Sequence, residues 1–227
     1  MIKSALVTGG SGTLGQAVIQ LLHSYNFKVI SVGRNKPFAV PTGCLHLVCD
    51  FLNETDLSRI CTEIKQLDPI DCAVFCAGID SRIGGIDFNP QVFQRAMQVN
   101  CIAHLLLLRA LREQVRRVKP LRLVVPSSNV LDKTDPNSLV YATSKIALEE
   151  GIRCFVAEDA NTMSALILRL PFLGVLMAEL AESNVLIRQQ AVLVGYETPQ
   201  LKEAIVRIED FLVRDVSEID TFKIISL

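Results

Sequence analysis

"VTGGSGTLGQAV", residues 7–18, is the stretch on which the reading of this chain turns. It follows the run "KSALVT" (3–8), which reads as a strand, and it opens a helical pattern over roughly 13–24. Glycines at 9, 12 and 15 are spaced G-x-x-G-x-x-G. A strand that turns into a helix around a pyrophosphate needs a tight reversal, close approach of backbone to phosphate, and close packing of helix on strand. Glycine supplies all three, and the phosphates then meet the positive end of the helix dipole. Glycines also simply end strands, so the spacing gains its weight from lying between the first strand and the first helix. In that place it predicts a dinucleotide-binding turn.

Outward from the turn, short apolar or β-branched runs alternate with helical patterns. "FKVISVG" (27–33) and "LHLVC" (45–49) read as the second and third strands, and a helix near 54–67 leads to a fourth, "CAVFCAG" (72–78). A long helix over about 90–118 is closed by Pro120, then "LRLVVP" (121–126) is a fifth strand and a helix carrying Tyr141 follows. "MSALILRL" (163–170), helical segments near 175–190 and 199–214, and "TFKIISL" (221–227) complete the chain. This alternation predicts an α/β fold: a doubly wound parallel sheet (Rossmann fold) of about seven strands with helices on both faces. No repeat, low-complexity tract or linker interrupts it, so residues 1–227 are expected to form one domain.

Composition agrees. The 227 residues are 50% hydrophobic and 21% charged, enough for a sizeable core and too apolar for wholesale disorder. The net charge is −1, and the basic run "REQVRRVK" (112–119) falls on a predicted helix as a solvated face, so nucleic acid and membrane surfaces are poor partners. Seven cysteines (44, 49, 61, 72, 76, 101 and 154) form no C-x-x-C pair and no zinc spacing with histidine, so no metal site is expected. Such thiols suit a reduced, cytoplasmic protein. The start "MIKSALVTGG" does not read as a signal peptide, and "HLLLLRALREQ" (104–114) is too short and interrupted to span a bilayer.

Two further positions bear on the nucleotide. An NAD-preferring site usually offers an acid after the second strand, to accept from the ribose 2′-hydroxyl. Here the strand ends in "SVGRN" (31–35), and Arg34 follows Gly33. A guanidinium can bind a 2′-phosphate and stack on adenine, which favours NADP(H) over NAD(H); the bland reading is a surface arginine. Asp50, at the end of the third strand, either faces the adenine or merely caps the next turn.

The chemistry is concentrated in "YATSK" (141–145). On a helix Tyr141 and Lys145 share one face, so a phenol and an ammonium sit together. Ser128 lies thirteen residues before the tyrosine, at the end of "VVPSSNV" (124–130), and "MQVNCIAHLL" (97–106) places Asn100 within a long helix. With the glycine turn, these residues resemble the short-chain dehydrogenase/reductase family, which uses an ordered Asn-Ser-Tyr-Lys set with Y-x-x-x-K. The resemblance implies Tyr141 as general acid/base and Ser128 as a donor to the substrate oxygen. It implies that Lys145 lowers the phenol's affinity for its proton and holds the nicotinamide ribose, and that Asn100 places a proton-relaying water. For the cofactor it implies Gly9, Ser11, Gly12, Thr13, Leu14, Gly15, Arg34, Asp50, Phe51, Cys76, Ala77, Gly78, Tyr141, Lys145 and Pro171. The substrate is expected to be a small carbonyl or alcohol, the lid to fall within 171–198, and the protein to be a homodimer or homotetramer packed through the helices near 90–118 and 139–158.

The departures from the family's pattern keep rivals open. "TGGSGTLG" (8–15) has the glycine spacing of the larger branch that contains sugar-nucleotide epimerases, although few residues remain here for a second domain. Cys76 stands where the family commonly has asparagine, and Phe172 replaces a glycine after Pro171. The apolar "FLGVLMAELAES" (172–183), with Phe172 and Leu173, and the Gly84-Gly85 loop are guesses for the substrate cleft. The alternatives are therefore a small sugar-nucleotide-type epimerase/reductase, or a non-catalytic NAD(P)-binding redox sensor using Cys76.

Overall fold

The first strand, β1 (Ser4–Thr8), is buried along its whole length, as befits a strand covered on both faces. It lies in the middle of a computed structural model that describes residues 2–38, 41–80, 88–115, 120–171, 198–213 and 221–227. The other strands are β2 (Lys28–Gly33), β3 (Leu45–Val48), β4 (Cys72–Phe75), β5 (Leu121–Ser128), β6 (Met163–Leu170) and β7 (Phe222–Ser226). They form one seven-stranded sheet in the order β3-β2-β1-β4-β5-β6-β7, with every pair parallel. The chain builds outward from β1 to β3, then crosses back to β4. The carboxyl ends of β1 and β4 therefore border the crevice where open α/β sheets bind ligands.

The described helices are α1 (Thr13–Ser24), α2 (Glu54–Gln66), α3 (Pro90–Met97), α4 (Ala103–Val115), α5 (Leu139–Glu158) and α6 (Pro199–Val213). On one face of the sheet, Leu6, Phe75, Leu123 and Val125 pack with Ile60 of α2, Leu107 of α4 and Ile152 of α5. On the other, Val7, Val74 and Leu166 meet Val18 and Ile19 of α1 and Ile208 of α6. Burying each such side chain contributes roughly 1.5–3 kcal/mol. None of the described helices is long and apolar enough to cross a membrane.

Local chemistry explains the helix ends. Asn53 caps α2 by accepting from the amides of Thr55 and Asp56, and Asn89 caps α3 beside a proline at its first position. At the end of α1, Asn26 takes φ +58, while the amides of Asn26 and Phe27 donate back to the carbonyls of His23 and Leu22.

The expected order of strands and helices is observed, with two differences near the crevice. β4 stops at Phe75, because the chain at Ala77 turns to bond Thr8 rather than continuing the ladder. The long helix over 90–118 is broken into α3 and α4 by a π-helical turn, Gln98–Ile102, and residues 116–119 lie outside the described set. The expected helix near 175–190 also lies outside it.

Candidate active site

The glycine turn is held by its neighbours' backbones. The Gly9 amide donates to the Val32 carbonyl at 2.9 Å, and its φ is +66. A Cβ on Gly9 would lie 2.7 Å from the backbone of Ala77, and one on Gly15 would lie 2.9 Å from Gly10 Cα. These two glycines let β1, β4 and α1 close on each other. Gly12 differs: its nearest neighbour to a Cβ is 3.4 Å away, so packing does not demand glycine there. It is the N-cap of α1, no side chain caps the helix, and the first return bond runs from Gln16 to the Gly12 carbonyl. The turn thus offers a helix N-terminus bare of a capping side chain, which suits a pyrophosphate. Ser11 and Thr13 are half-buried at this edge, whereas Leu14 is turned into the core.

Arg34 is exposed one residue beyond β2, beside the turn that Gly9 anchors to Val32. Asp50 accepts the Leu52 amide at 3.0 Å, so it does cap the turn into α2. The Phe51 ring is buried edge-on to His104, and only its backbone is left to face the crevice; that carbonyl accepts from Gln98 Nε2 at 3.1 Å.

Across the crevice, the Ala77 amide donates to Thr8 Oγ1 at 3.0 Å. A Cβ on Gly78 would lie 3.4 Å from Asn100 Oδ1 and 3.6 Å from Lys145 Nζ, so the bare Gly78 backbone packs directly against these two buried polar groups. Asn100 sits in the π-helical turn. Its Oδ1 accepts the Ile79 amide at 2.8 Å, while Nδ2 donates to the Ile79 carbonyl and to Ser144 Oγ, each at 2.9 Å. The extra residue of a π turn re-aims a side chain without ending the helix, a device common at functional sites.

From α5, Lys145 Nζ donates to the Pro126 carbonyl at 3.2 Å and lies 5.7 Å from the centre of the Tyr141 ring. Burial pushes the Lys145 ammonium down to about 8, partly opposed by the nearby carboxylates of Glu149 and Asp80. It remains mostly charged at pH 7. Ser144 Oγ donates to the Tyr141 carbonyl at 2.7 Å, linking the tyrosine's turn to Asn100. Ser128 ends β5, two residues past the carbonyl that holds Lys145, and its hydroxyl accepts the Val130 amide at 3.3 Å. Pro171 follows β6 at the same edge, and the remainder of the expected lid, 172–197, is outside the described residues, as are Phe172, Leu173 and Gly84-Gly85. Among the described residues no three His, Cys, Asp or Glu are grouped to hold a metal.

Sequence reasoning missed Thr8, His104 and Ser144. His104 Nδ1 is 3.4 Å from the Asn100 carbonyl, which can only accept, so Nδ1 carries the proton. Nε2 then accepts from Thr8 Oγ1 at 3.1 Å. Burial pushes His104 down to about 3, so the ring stays neutral, stacked on Phe75 at 4.8 Å. A chain of hydrogen bonds thus joins the end of β4, through Thr8 and His104, to the π turn. The signal in the sequence was a histidine four residues after Asn100 in the otherwise apolar run "CIAHLLLL" (101–108).

Comparison with known proteins bears on the fold and the family. The 3-oxoacyl-[acyl-carrier-protein] reductase FabG of Rickettsia typhi is 29% identical over 152 residues, covering 64% of this chain and 62% of that protein. The match therefore spans less than two thirds of the relative's own length. A short chain dehydrogenase family protein from Francisella tularensis superposes with a TM-score of 0.80 at 20% identity, covering 100% of this chain and 97% of that one. A putative short chain dehydrogenase from Escherichia coli CFT073, complexed with NADPH, gives a TM-score of 0.76 at 21% identity, covering 99% and 95%. These structural likenesses establish the fold. The profile of the short chain dehydrogenases matches residues 3–163, most of the chain, and with it the chain belongs to the short chain dehydrogenase family.

Proposed function

We propose that this protein is an NADP(H)-dependent oxidoreductase that interconverts a carbonyl and an alcohol, with Tyr141 as the general acid/base. The observation that carries the reading is the meeting of Lys145, Asn100 and the bare backbone of Gly78 at the sheet's crevice, with the Tyr141 ring one helical turn from the ammonium. The bound cofactor supplies or accepts the hydride at the substrate carbon. As the carbonyl π electrons move onto oxygen, Tyr141 gives its phenolic proton to that oxygen, and Lys145⁺ stabilises the phenolate left behind. Ser128 donates to the same oxygen. Asn100, bonded to Ile79 and Ser144, fixes the spacing between the crevice and α5.

Gly9, Gly12 and the first turn of α1 are assigned to the pyrophosphate, Asp50 and the Phe51 backbone to the adenine side, and Cys76, Ala77, Gly78 and Pro171 to the rest of the cofactor. Arg34 supports NADP(H), since an exposed guanidinium, with no acid at the end of β2, suits a 2′-phosphate better than a hydroxyl. The Escherichia coli structure is complexed with NADPH, in line with that cofactor, and the Rickettsia protein is named a reductase, in line with the reaction class. We take residues 1–227 as one domain, and Ile102 and Ile146 offer exposed apolar surface for a second copy. The redox-sensor reading gains no support from Cys76, whose thiol burial pushes up to about 12, far from a reactive thiolate.

The test is a titration of dihydronicotinamide fluorescence with NADPH and with NADH, free of tryptophan background because the chain has none. Preferential binding of NADPH is expected. A carbonyl screen with the preferred cofactor should then give turnover that Tyr141→Phe lowers by about 10²–10⁴-fold while binding is retained. Unchanged turnover in Tyr141→Phe removes the assignment of the acid, and binding of neither nucleotide by calorimetry removes the function.

A further inference from the structure

Tyr141 and Lys145 continue along α5 to a third polar residue on the same face, Glu149, and the proposed reaction gives it no role. Its side chain is 4% exposed. Glu149 Oε1 accepts from Ser127 Oγ at 2.6 Å and from Arg169 Nε at 3.1 Å, and Oε2 accepts from Arg169 Nη2 at 2.7 Å. Arg169 is fixed in turn: its Nη1 donates to Asp132 at 2.8 Å, and Ser226 Oγ donates to the other oxygen of Asp132, also at 2.8 Å. Ser127, Arg169 and Ser226 are register partners on β5, β6 and β7: the first two hold the Glu149 carboxylate, and Ser226 steadies Arg169 through Asp132.

Such a clamp needs a reason beyond stability, because a buried ion pair commonly adds little net stability over apolar packing. Its position suggests one. Lys145 lies one turn from Glu149 on α5, and its ammonium is the same group that must serve Tyr141. A carboxylate with an unmet oxygen would draw that ammonium toward itself. The fork of Arg169 occupies both oxygens at once, which a single point charge cannot do.

We propose that Arg169 is a positioning residue for the Tyr141–Lys145 pair: it holds Glu149 against β6 and so leaves the Lys145 ammonium to Tyr141 and the Pro126 carbonyl. The inference rests on the acid/base role assigned to Tyr141, but it can be read without turnover. Among the described residues, Arg169 from β6, Ser127 from β5 and Lys145 from its own helix face Glu149. Cys76 at the end of β4, Asp80 beyond it, His104 of α4, Glu149 and Tyr141 lie around Lys145. Asp132 and Ser226 face Arg169.

The experiment follows Lys145 itself against pH, by NMR of protein labelled with carbon-13 at the lysine side-chain ends, its signal identified as the one missing from Lys145→Met. In Arg169→Gln, the freed Glu149 should capture Lys145, and the Lys145 ionisation midpoint should rise by about one pH unit, because a carboxylate at the ammonium favours its charged form. In the double variant Glu149→Gln/Arg169→Gln there is no carboxylate to compete, and the midpoint should return to that of the wild type. An unmoved midpoint in Arg169→Gln overturns the proposal; so does a raised one that persists in the double variant, since Glu149 is then not the intermediary. Should Arg169→Gln fail to fold, Arg169→Lys carries the test: it keeps the charge but grips one oxygen only, and an unmoved midpoint overturns the proposal there too. Where turnover is measurable, the pH profile of kcat should move with the midpoint. Absence of turnover in the wild type would count against the proposed oxidoreductase activity, while the Lys145 titration still decides the role of Arg169.

Discussion

Lys145 holds its charge in a buried place, and that should be visible in the protein's stability. Its folded value of about 8 stands against 10.5 for an exposed lysine, a difference of about 2.5 units or roughly 3 kcal/mol. The sign follows from which state loses the proton first. The native state releases it near pH 8, whereas the unfolded chain keeps it to about 10.5. The destabilising contribution is therefore fully present below pH 8, and it disappears as the pH rises from 8 to 10.5. Stability gained this way grows by at most about 1.4 kcal/mol per pH unit.

Other groups titrate in the same window. Burial raises the thiols of Cys49, Cys72 and Cys76, which lose stability with rising pH because the unfolded thiols ionise first. A comparison with Lys145→Met, which keeps the length and packing of the side chain, removes most of that shared background. Urea unfolding followed by circular dichroism suits a chain without tryptophan. At pH 7 the variant escapes roughly 3 kcal/mol of desolvation and loses one hydrogen bond to Pro126, about 1 kcal/mol, so it should be about 2 kcal/mol more stable. By pH 10.5 the difference should have moved by about 3 kcal/mol in favour of the wild type. A difference that stays constant with pH would refute the argument that burial holds Lys145 near 8. A wild type already the more stable at pH 7 would show that its contacts outweigh its desolvation.

The two glycines of the turn should separate folding from binding. Gly9→Ala places a Cβ against the Ala77 backbone at positive φ and should destabilise the protein by about 2 kcal/mol or more, read as a lower urea midpoint. Gly12→Ala has room in the fold and should melt within about 1 kcal/mol of the wild type, yet bind NADPH more weakly in the fluorescence titration. Arg34→Ala should weaken NADPH binding by about 10–100-fold and leave NADH within a few-fold, as expected for a charge-assisted bond to the 2′-phosphate. Equal losses for both nucleotides would place Arg34 on a part they share.

How much of this could be read from the sequence divides by the range of the contacts. α1 and β6 have the bounds expected for them, because a buried parallel strand reads as an unbroken apolar run and a helix as a periodic one. Tyr141 and Lys145 were legible for the same reason: their pairing is one turn of one helix. The break in the long helix was not. The π turn absorbs one extra residue inside a continuous helix, and "QVNCI" contains no glycine or proline to announce a break. Its visible correlates are bonds from Asn100 to Ile79 and Ser144, 21 and 44 residues away.

The same limit explains why Glu149 and Arg169 went unread although both lie within stretches that were scrutinised. Each is an unexceptional charge in its own segment, and only the register of β5, β6 and β7, with α5 packed on them, brings arginine, glutamate and the two serines into one network. Asn100 shows the converse. An amide within a helix is locally a poor choice, and that small misfit was visible without its cause. In the fold it makes three hydrogen bonds that tie the loop after β4 to the helix of Tyr141. A residue that is slightly wrong for its own element and fully satisfied by distant ones is tying elements together. Asn100 does this for the crevice, and the forked grip of Arg169 on Glu149 does it one layer below.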